Sequence, residues 1–403
     1  MFRSFNIEKT YQFLLITLAF LMPLTVFGGN VIIVLIVLLW LFSGNYKNKF
    51  NLIVKNKLLL ASIAFFCLHI VGLLWTNDLE WGIHIVHKMW YFLLLLPILY
   101  SIVIKENIPK YINSFLLAIC LTEILSYLVW FELIEPFKNA SVYNPTPFMS
   151  HVTYNVILAF AIYLVMFKLI IQKGLGKMQT FLYSLFVFLM SFNMFITGGR
   201  AGQVAFFIVI GVLIFQFFSF SRIKALLVSL FIVPLIFFSA YQVSPIFQER
   251  VDLAFKNSYN YSENITTNHQ TSIGYRMTFA LNSWEIIKNN PFFGVGTGDF
   301  PDEYKKINMK NTPLMNNANN PHNMYILVLC QLGIMGLISF MSIFYFQLKM
   351  AINSTNIFSK NIGFALPIMF LVIMLSDSYL LGHFTTLMYI FFSSFLYKDF
   401  END

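Results

Sequence analysis

GQVAFFIVIGVLIFQFFSFSRIKALLVSLFIVPLIFFSA, residues 202–240, decides the fold class. Its only charged residues, Arg222 and Lys224, sit together between two apolar runs, 202–220 and 223–240. Each run approaches the roughly 20 residues that a helix needs to cross the bilayer hydrocarbon. Neither carries the polar stripe that a helix on a water-soluble core turns to solvent. The segment reads as two membrane spans joined by a short basic turn.

Outward from this pair the pattern repeats. The chain has 403 residues, of which 58% are hydrophobic and 11% charged, and its mean hydropathy is +0.71. A soluble domain carries about 25% charged residues, so these charges are too few to cover a water-exposed surface. Further spans are predicted at about 11–27, 31–43, 58–75, 89–104, 113–131, 152–171, 179–197, 323–346, 362–377 and 382–397. The expected fold is an all-α polytopic membrane protein of about twelve transmembrane helices. Arg3 and Lys9 precede the first run as in a signal peptide, but no small-residue cleavage site follows, so it is read as an uncleaved helix. Cys67, Cys120 and Cys330 lie far apart within apolar runs and read as buried small hydrophobes, not as a disulfide or zinc framework.

The net charge of +8 raises the question of nucleic acid, but no basic-aromatic module is present. Positive residues instead set membrane orientation. With a cytoplasmic N-terminus, the inside segments hold Arg3, Lys9, Lys47, Lys49, Lys55, Lys57, Lys105, Lys110, Lys168, Lys173, Lys177, Arg222, Lys224, Lys349, Lys360 and Lys398. The short outside loops hold only Lys88, Lys138 and Arg200. This asymmetry predicts both termini in the cytoplasm and the one long polar interruption, residues 241–321, outside. The expected organisation is nine spans in 1–240, an external loop over 241–321, and three spans with a cytoplasmic tail in 322–403. Two shorter outside loops are expected over 76–88 and 132–151.

Within the long loop, residues 244–268 are polar and read as flexible. Met277, Ala280, Leu281, Trp284 and Ile287 recur at helical spacing, predicting an amphipathic helix over about 275–288 on the bundle or at the interface. Asn289-Asn290-Pro291 ends it. A glycine cluster follows, Gly294-Val295-Gly296-Thr297-Gly298-Asp299-Phe300.

Candidate chemistry gathers on this side. Arg200 lies in Gly198-Gly199-Arg200-Ala201-Gly202, a turn between spans. It reads either as an interfacial snorkelling arginine or as an anion clamp for phosphate oxygens, with glycines that let a headgroup approach. Arg276 reads as a solvated helix residue or as a second arm of the same clamp. Gly294, Gly296 and Gly298 are not a nucleotide loop, since no strand precedes them and no Lys-Ser/Thr follows. They form a tight turn or a backbone lining for an anion or sugar. His322, after Pro321 and before Asn323, reads as a helix-start residue or as an acid–base group. His84 and His87 lack a third ligand for a metal. Glu123 and Asp377 are costly in lipid and should face the interior or a cavity, as structural partner, proton relay or base.

The order and spacing of Gly199-Arg200-Ala201-Gly202, Arg276 with Trp284, the run from Asn290 to Phe300, and Pro321-His322-Asn323-Met324-Tyr325-Ile326 with Leu332-Gly333-Ile334-Met335-Gly336-Leu337 resemble the O-antigen ligase/polymerase superfamily of bacterial envelope enzymes, over about 190–345. The resemblance implies a GT-C-like bundle. It implies transfer of a glycan from undecaprenyl diphosphate to lipid A–core at the outer face of the inner membrane, with neither metal nor ATP. Functional roles carry over only to Arg200, Arg276 and His322. Gly294, Gly296, Gly298 and Asn323 are expected as substrate-binding positions from the residues themselves. Gln331 stands where many relatives carry Glu. Asp299 or Glu303 is the alternative base to His322. A polymerase, whose acceptor is another lipid-linked repeat unit, has the same residues. A flippase or transporter fits less well, because the halves show no repeat.

Overall fold

A computed structural model of the chain describes residues 6–172, 174–263 and 271–400. Arg3, Lys173 and the Asn264-Ile265-Thr266 tripeptide, a glycosylation sequon where the host glycosylates such sites, lie outside the described residues. The helices are α1 (Ile7–Leu21), α2 (Val26–Phe42), α3 (Tyr46–Lys55), α4 (Lys57–Val71), α5 (Leu79–Trp90), α6 (Leu96–Ile102), α7 (Ile108–Trp130), α8 (His151–Ile170), α9 (Lys177–Ile196), α10 (Arg200–Phe217), α11 (Arg222–Val243), α12 (Pro245–Glu263), α13 (Ser272–Asn289), α14 (Phe300–Asn311), α15 (Met324–Asn353), α16 (Ile357–Ile373) and α17 (His383–Leu396). Among the described residues there is no strand, only an isolated bridge between Ser141 and Asn144.

The protein is thus all-helical and suited to a membrane, but the span count differs from expectation. Among the described residues eight helical elements are long and apolar enough to cross, or nine if α2 and α3, bent by 116° to one another, count as one span. Helices α16 and α17 are shorter apolar helices. The expected outside loop over 76–88 is mostly helix. Asp78 caps α5 by accepting the Trp81 N–H at 2.9 Å. From there α5 runs through a π-turn, Tyr91–Leu95, into α6. Gly82, Ile85 and Met89, three and four apart, form its buried face.

Helices α8 and α17 form the centre. Both are buried nearly all round, whereas α11 turns Leu227, Leu230, Phe231, Leu235 and Phe238 outward, as lipid requires. Cys330 is buried, Cys120 half-buried and Cys67 exposed, so only one of the three is the core residue expected.

The polar stretch read as flexible is helical over α12. Phe247 and Val251, four apart, pack on the main core, a spacing visible in the sequence but diluted by polar neighbours. Helices α13 and α14 then cap one end of the bundle around a second small core of Phe279, Ile286, Phe300, Tyr304, Leu327 and Cys330. Of the expected apolar stripe of α13, Ile287 joins that core, while Met277, Leu281 and Trp284 point outward, as do Phe292 and Phe293.

The cap is locked to the bundle at a break in α15. Gly333 has φ 61° and ψ −157°, and a Cβ there would meet the Phe292 carbonyl at 2.4 Å. The freed N–H groups of Ile334 and Met335 donate to Pro291 and Phe292 carbonyls. Gly298 lies so close to α5 that a Cβ would sit 2.1 Å from the Asp78 carbonyl oxygen. Gly298→Ala is therefore expected to lower the thermal unfolding midpoint, overpacking costing about 1–3 kcal/mol. Gly211→Ala, with nothing within 4 Å of its Cβ, serves as the neutral control in the same melt.

Candidate functional site

At the capped end, the Arg200 corner is built by close helix packing. A Cβ on Gly202 would fall 2.2 Å from Asn155 Cβ, and one on Gly199 2.4 Å from the His151 carbonyl oxygen. These glycines let the start of α10 lie directly on α8, the use small residues have in membrane bundles. They are not an opening for a headgroup, because Asn155 fills that space. Asn155 accepts the Thr197 hydroxyl at 2.7 Å and donates to Gly199 at 3.4 Å. The corner is rigid, and half-buried Arg200 starts from it.

Two more arginines reach this corner. The charges of Arg250 and Arg276 both bear on Arg200. Arg250, on α12, lies against the turn, its Nη2 3.4 Å from the position of a Gly198 Cβ. The sequence reading missed it, because α12 had been read as flexible chain. Arg276 makes one long hydrogen bond, 3.4 Å from Nη1 to Ser272 Oγ, and so is not committed to the fold. Three guanidinium charges thus bear on one corner, where they repel one another.

His322 sits beside them. Its backbone is left-handed, at φ 52°, uncommon for a residue with a side chain and the kind of strain found at functional sites. The surrounding chain holds it there. Asn320 Oδ1 accepts the His322 N–H at 2.8 Å and the Ser378 hydroxyl at 3.0 Å. The Phe279 ring stacks on the imidazole at 6.0 Å, so α13 supplies both Arg276 and the wall beside His322. His322 Nδ1 lies 3.0 Å from Asp377 Oδ1. This pair settles the reading of Asp377. It stands in the turn after α16, where burial raises its pKa, but the hydrogen bond and charge of His322, the Ser378 N–H and the Arg276 charge outweigh burial and leave it below its ordinary value. With Nδ1 held by a carboxylate, Nε2 is the imidazole nitrogen left to face a substrate.

Several expected site residues are occupied otherwise. The N–H groups at Val295 and Gly296 donate to Cys330 and Gln331 carbonyls, that of Thr297 to Gly72, and that of Gly294 to Asn290. The Gly298 N–H donates to Thr76 Oγ1. Gly294, Gly296 and Gly298 therefore have no donors left for an anion or sugar; they are glycines because the loop threads between α5 and the α15 break. Gln331 binds the same loop, its amide donating to the Thr297 carbonyl at 2.7 Å. Asn323 caps α15, accepting from the Tyr325 and Ile326 N–H groups and donating to the Leu375 carbonyl. Asp299 is buried and accepts from Asn77 and Asp78 N–H groups at 2.8 and 2.9 Å, and Glu303 pairs with Lys306. Neither carboxylate is available as the alternative base. His84 leans on Trp81 instead, and Glu123 lies within the bundle, bonded to the Tyr154 hydroxyl at 2.5 Å.

Comparison with known proteins gives two matches. Residues 185–341 match the family described as O-Antigen ligase. A protein of Haemophilus influenzae described as uncharacterized is 28% identical over 161 residues, 38% of this chain and 39% of the relative. The alignment thus spans about two fifths of the relative's length. The family match runs from within α9 through the three arginines and His322 and past the Gly333 break, and leaves Asp377 outside it. The match to the O-antigen ligase family thus covers residues 185–341, under half of the chain.

Proposed function

We propose that this protein is an inverting glycosyltransferase that moves a glycan from undecaprenyl diphosphate to lipid A–core, at the periplasmic face of the bacterial inner membrane. The observation that carries the reading is the meeting of Arg200, Arg250 and Arg276 with the His322–Asp377 pair at one end of a membrane bundle. A polyprenyl diphosphate offers such a site a clustered negative charge, and the outward stripe of Met277, Leu281 and Trp284 offers its chain an apolar track.

The chemistry follows from the groups. The acceptor hydroxyl attacks the anomeric carbon opposite the diphosphate. A carbon–oxygen bond to the acceptor forms as the sugar–phosphate bond breaks, and its electron pair leaves with the diphosphate. The arginines stabilise that growing charge more than the ground state. His322 Nε2 takes the hydroxyl proton, and Asp377 keeps the ring oriented and stabilises the imidazolium that forms. The leaving group is already activated, so the scheme draws on no nucleotide.

The positive-inside count supports an orientation with this face outside and both termini in the cytoplasm. The test is a deletion strain run on lipopolysaccharide gels, with purified protein given lipid-linked glycan and lipid A–core in EDTA without ATP. The expected result is loss of all O-chain bands over an intact core, and transfer in vitro. A single-repeat band in the deletion strain would replace the ligase by a polymerase.

A further inference from the structure

A second charged cavity lies at the opposite end of the bundle. It encloses about 570 Å³ and is lined by Lys55, Lys57, Lys105, Lys349 and Lys398, with Asp399 as the single acidic residue. Helix α15 connects the two ends: it starts two residues after His322 and carries Lys349 near its C-terminal end, at most about 38 Å of helix away. The five lysines come from four separate places in the chain: the α3–α4 junction on both sides of Asn56, the segment after α6, the end of α15 and the segment after α17. Orientation in the membrane needs lysines on this side but does not need them around one cavity. Among the described residues, Lys55, Lys57, Lys105 and Lys349 form no ion pair. Two helices also begin at this cavity. Asn56 caps α4 and Asn356 caps α16, and both line it. Helix N-termini add partial positive charge to the same space.

We propose that this cavity binds the phosphate headgroup of an anionic glycerophospholipid from the adjacent leaflet. Its wall combines the lysines with the apolar Leu52, Phe346, Met350 and Leu396, the mixture an amphiphile requires. A free phosphate makes no use of the apolar part. The neighbouring α3, turned 116° from α2, carries Phe50 and Val54 exposed, the arrangement of a helix lying at headgroup level. Basic pockets between spans hold anionic headgroups through this combination of charge and depth. The site is independent of the transfer reaction and stands or falls separately from it.

The test uses the full chain in nanodiscs of phosphatidylcholine with or without phosphatidylglycerol. Native mass spectrometry counts retained lipid, and a thermal melt reads stabilisation. Wild type is expected to retain phosphatidylglycerol over phosphatidylcholine and to melt higher with it. The Lys55→Gln/Lys105→Gln/Lys349→Gln variant should lose about tenfold or more of that preference. Equal retention of both lipids by wild type overturns the proposal whatever the variant does. An unchanged preference in a folded variant also overturns it. Wild type stabilised by inorganic phosphate as fully as by phosphatidylglycerol would replace the lipid with a free anion.

Discussion

Replacing Arg276 with alanine is expected to abolish glycan transfer while the protein still folds and inserts. The size follows from its position. It is one of three charges on the proposed diphosphate, and it also bears on Asp377. Removing one preorganised group that stabilises transition-state charge costs about 10²–10³ in rate. The fold loses little, since Arg276 gives up only a long contact with Ser272. Arg276→Lys should recover part of the activity at most, because an ammonium keeps the charge but not the two-pronged geometry that matches phosphate oxygens. Arg200→Ala and Arg250→Ala are expected to lose activity in the same way, with Arg250 the sharper test because only the folded chain brings it to the corner. The check is transfer of lipid-linked glycan by purified variants of matched thermal stability. Wild-type rates from the Arg200 and Arg276 variants would remove the diphosphate clamp.

The second large effect is expected at His322 and Asp377. His322→Ala should cost about 10²–10⁴ in rate, the range for losing a general base. Asp377→Asn should fall in a similar range although it keeps the shape, because an amide can hold the imidazole in the wrong tautomer and cannot stabilise the imidazolium. Binding of the donor should change far less in either variant than in the arginine variants. A kcat loss with KM retained therefore separates the base from the clamp. The same pair has a pH signature. The Asp377 pKa is held below its ordinary value of 3.8. Its contribution to stability is thus complete above that value and is lost as pH falls through the lower, folded value. Acid melts of wild type and Asp377→Asn should converge only in that acid window. Parallel curves across the whole range would show that the pair adds nothing to the fold.

The sequence made the membrane bundle legible because lipid imposes one rule on every span. Backbone groups must be satisfied within a helix and side chains must be apolar, so runs such as 202–240 announce themselves. Its errors came where that rule stops acting. Helices α5 and α12 carry enough polar residues to look like loops, and their buried faces are set by packing on neighbours instead of lipid. Among the described residues eight or nine helical elements, short of the expected twelve, meet the simple length measure, because the bend at α2–α3 and the short helices α16 and α17 fall outside it.

For the site, local sequence singled out Arg200 and His322 at span boundaries and Arg276 on a loop helix as candidates. It could not sort the glycines. Gly294, Gly296 and Gly298 look the same whether their N–H groups face a ligand or a neighbouring helix, and only the fold shows them already bonded to Asn290, Gln331 and Thr76. Nor could it pair His322 with Asp377, 55 positions on, or bring Arg250 to the Gly198 turn. The sequence by itself determined an all-helical membrane chain and the residue types for anion and proton chemistry. The tertiary structure alone decided which of them meet, because contacts between distant positions depend on how helices pack, and periodicity carries no record of that.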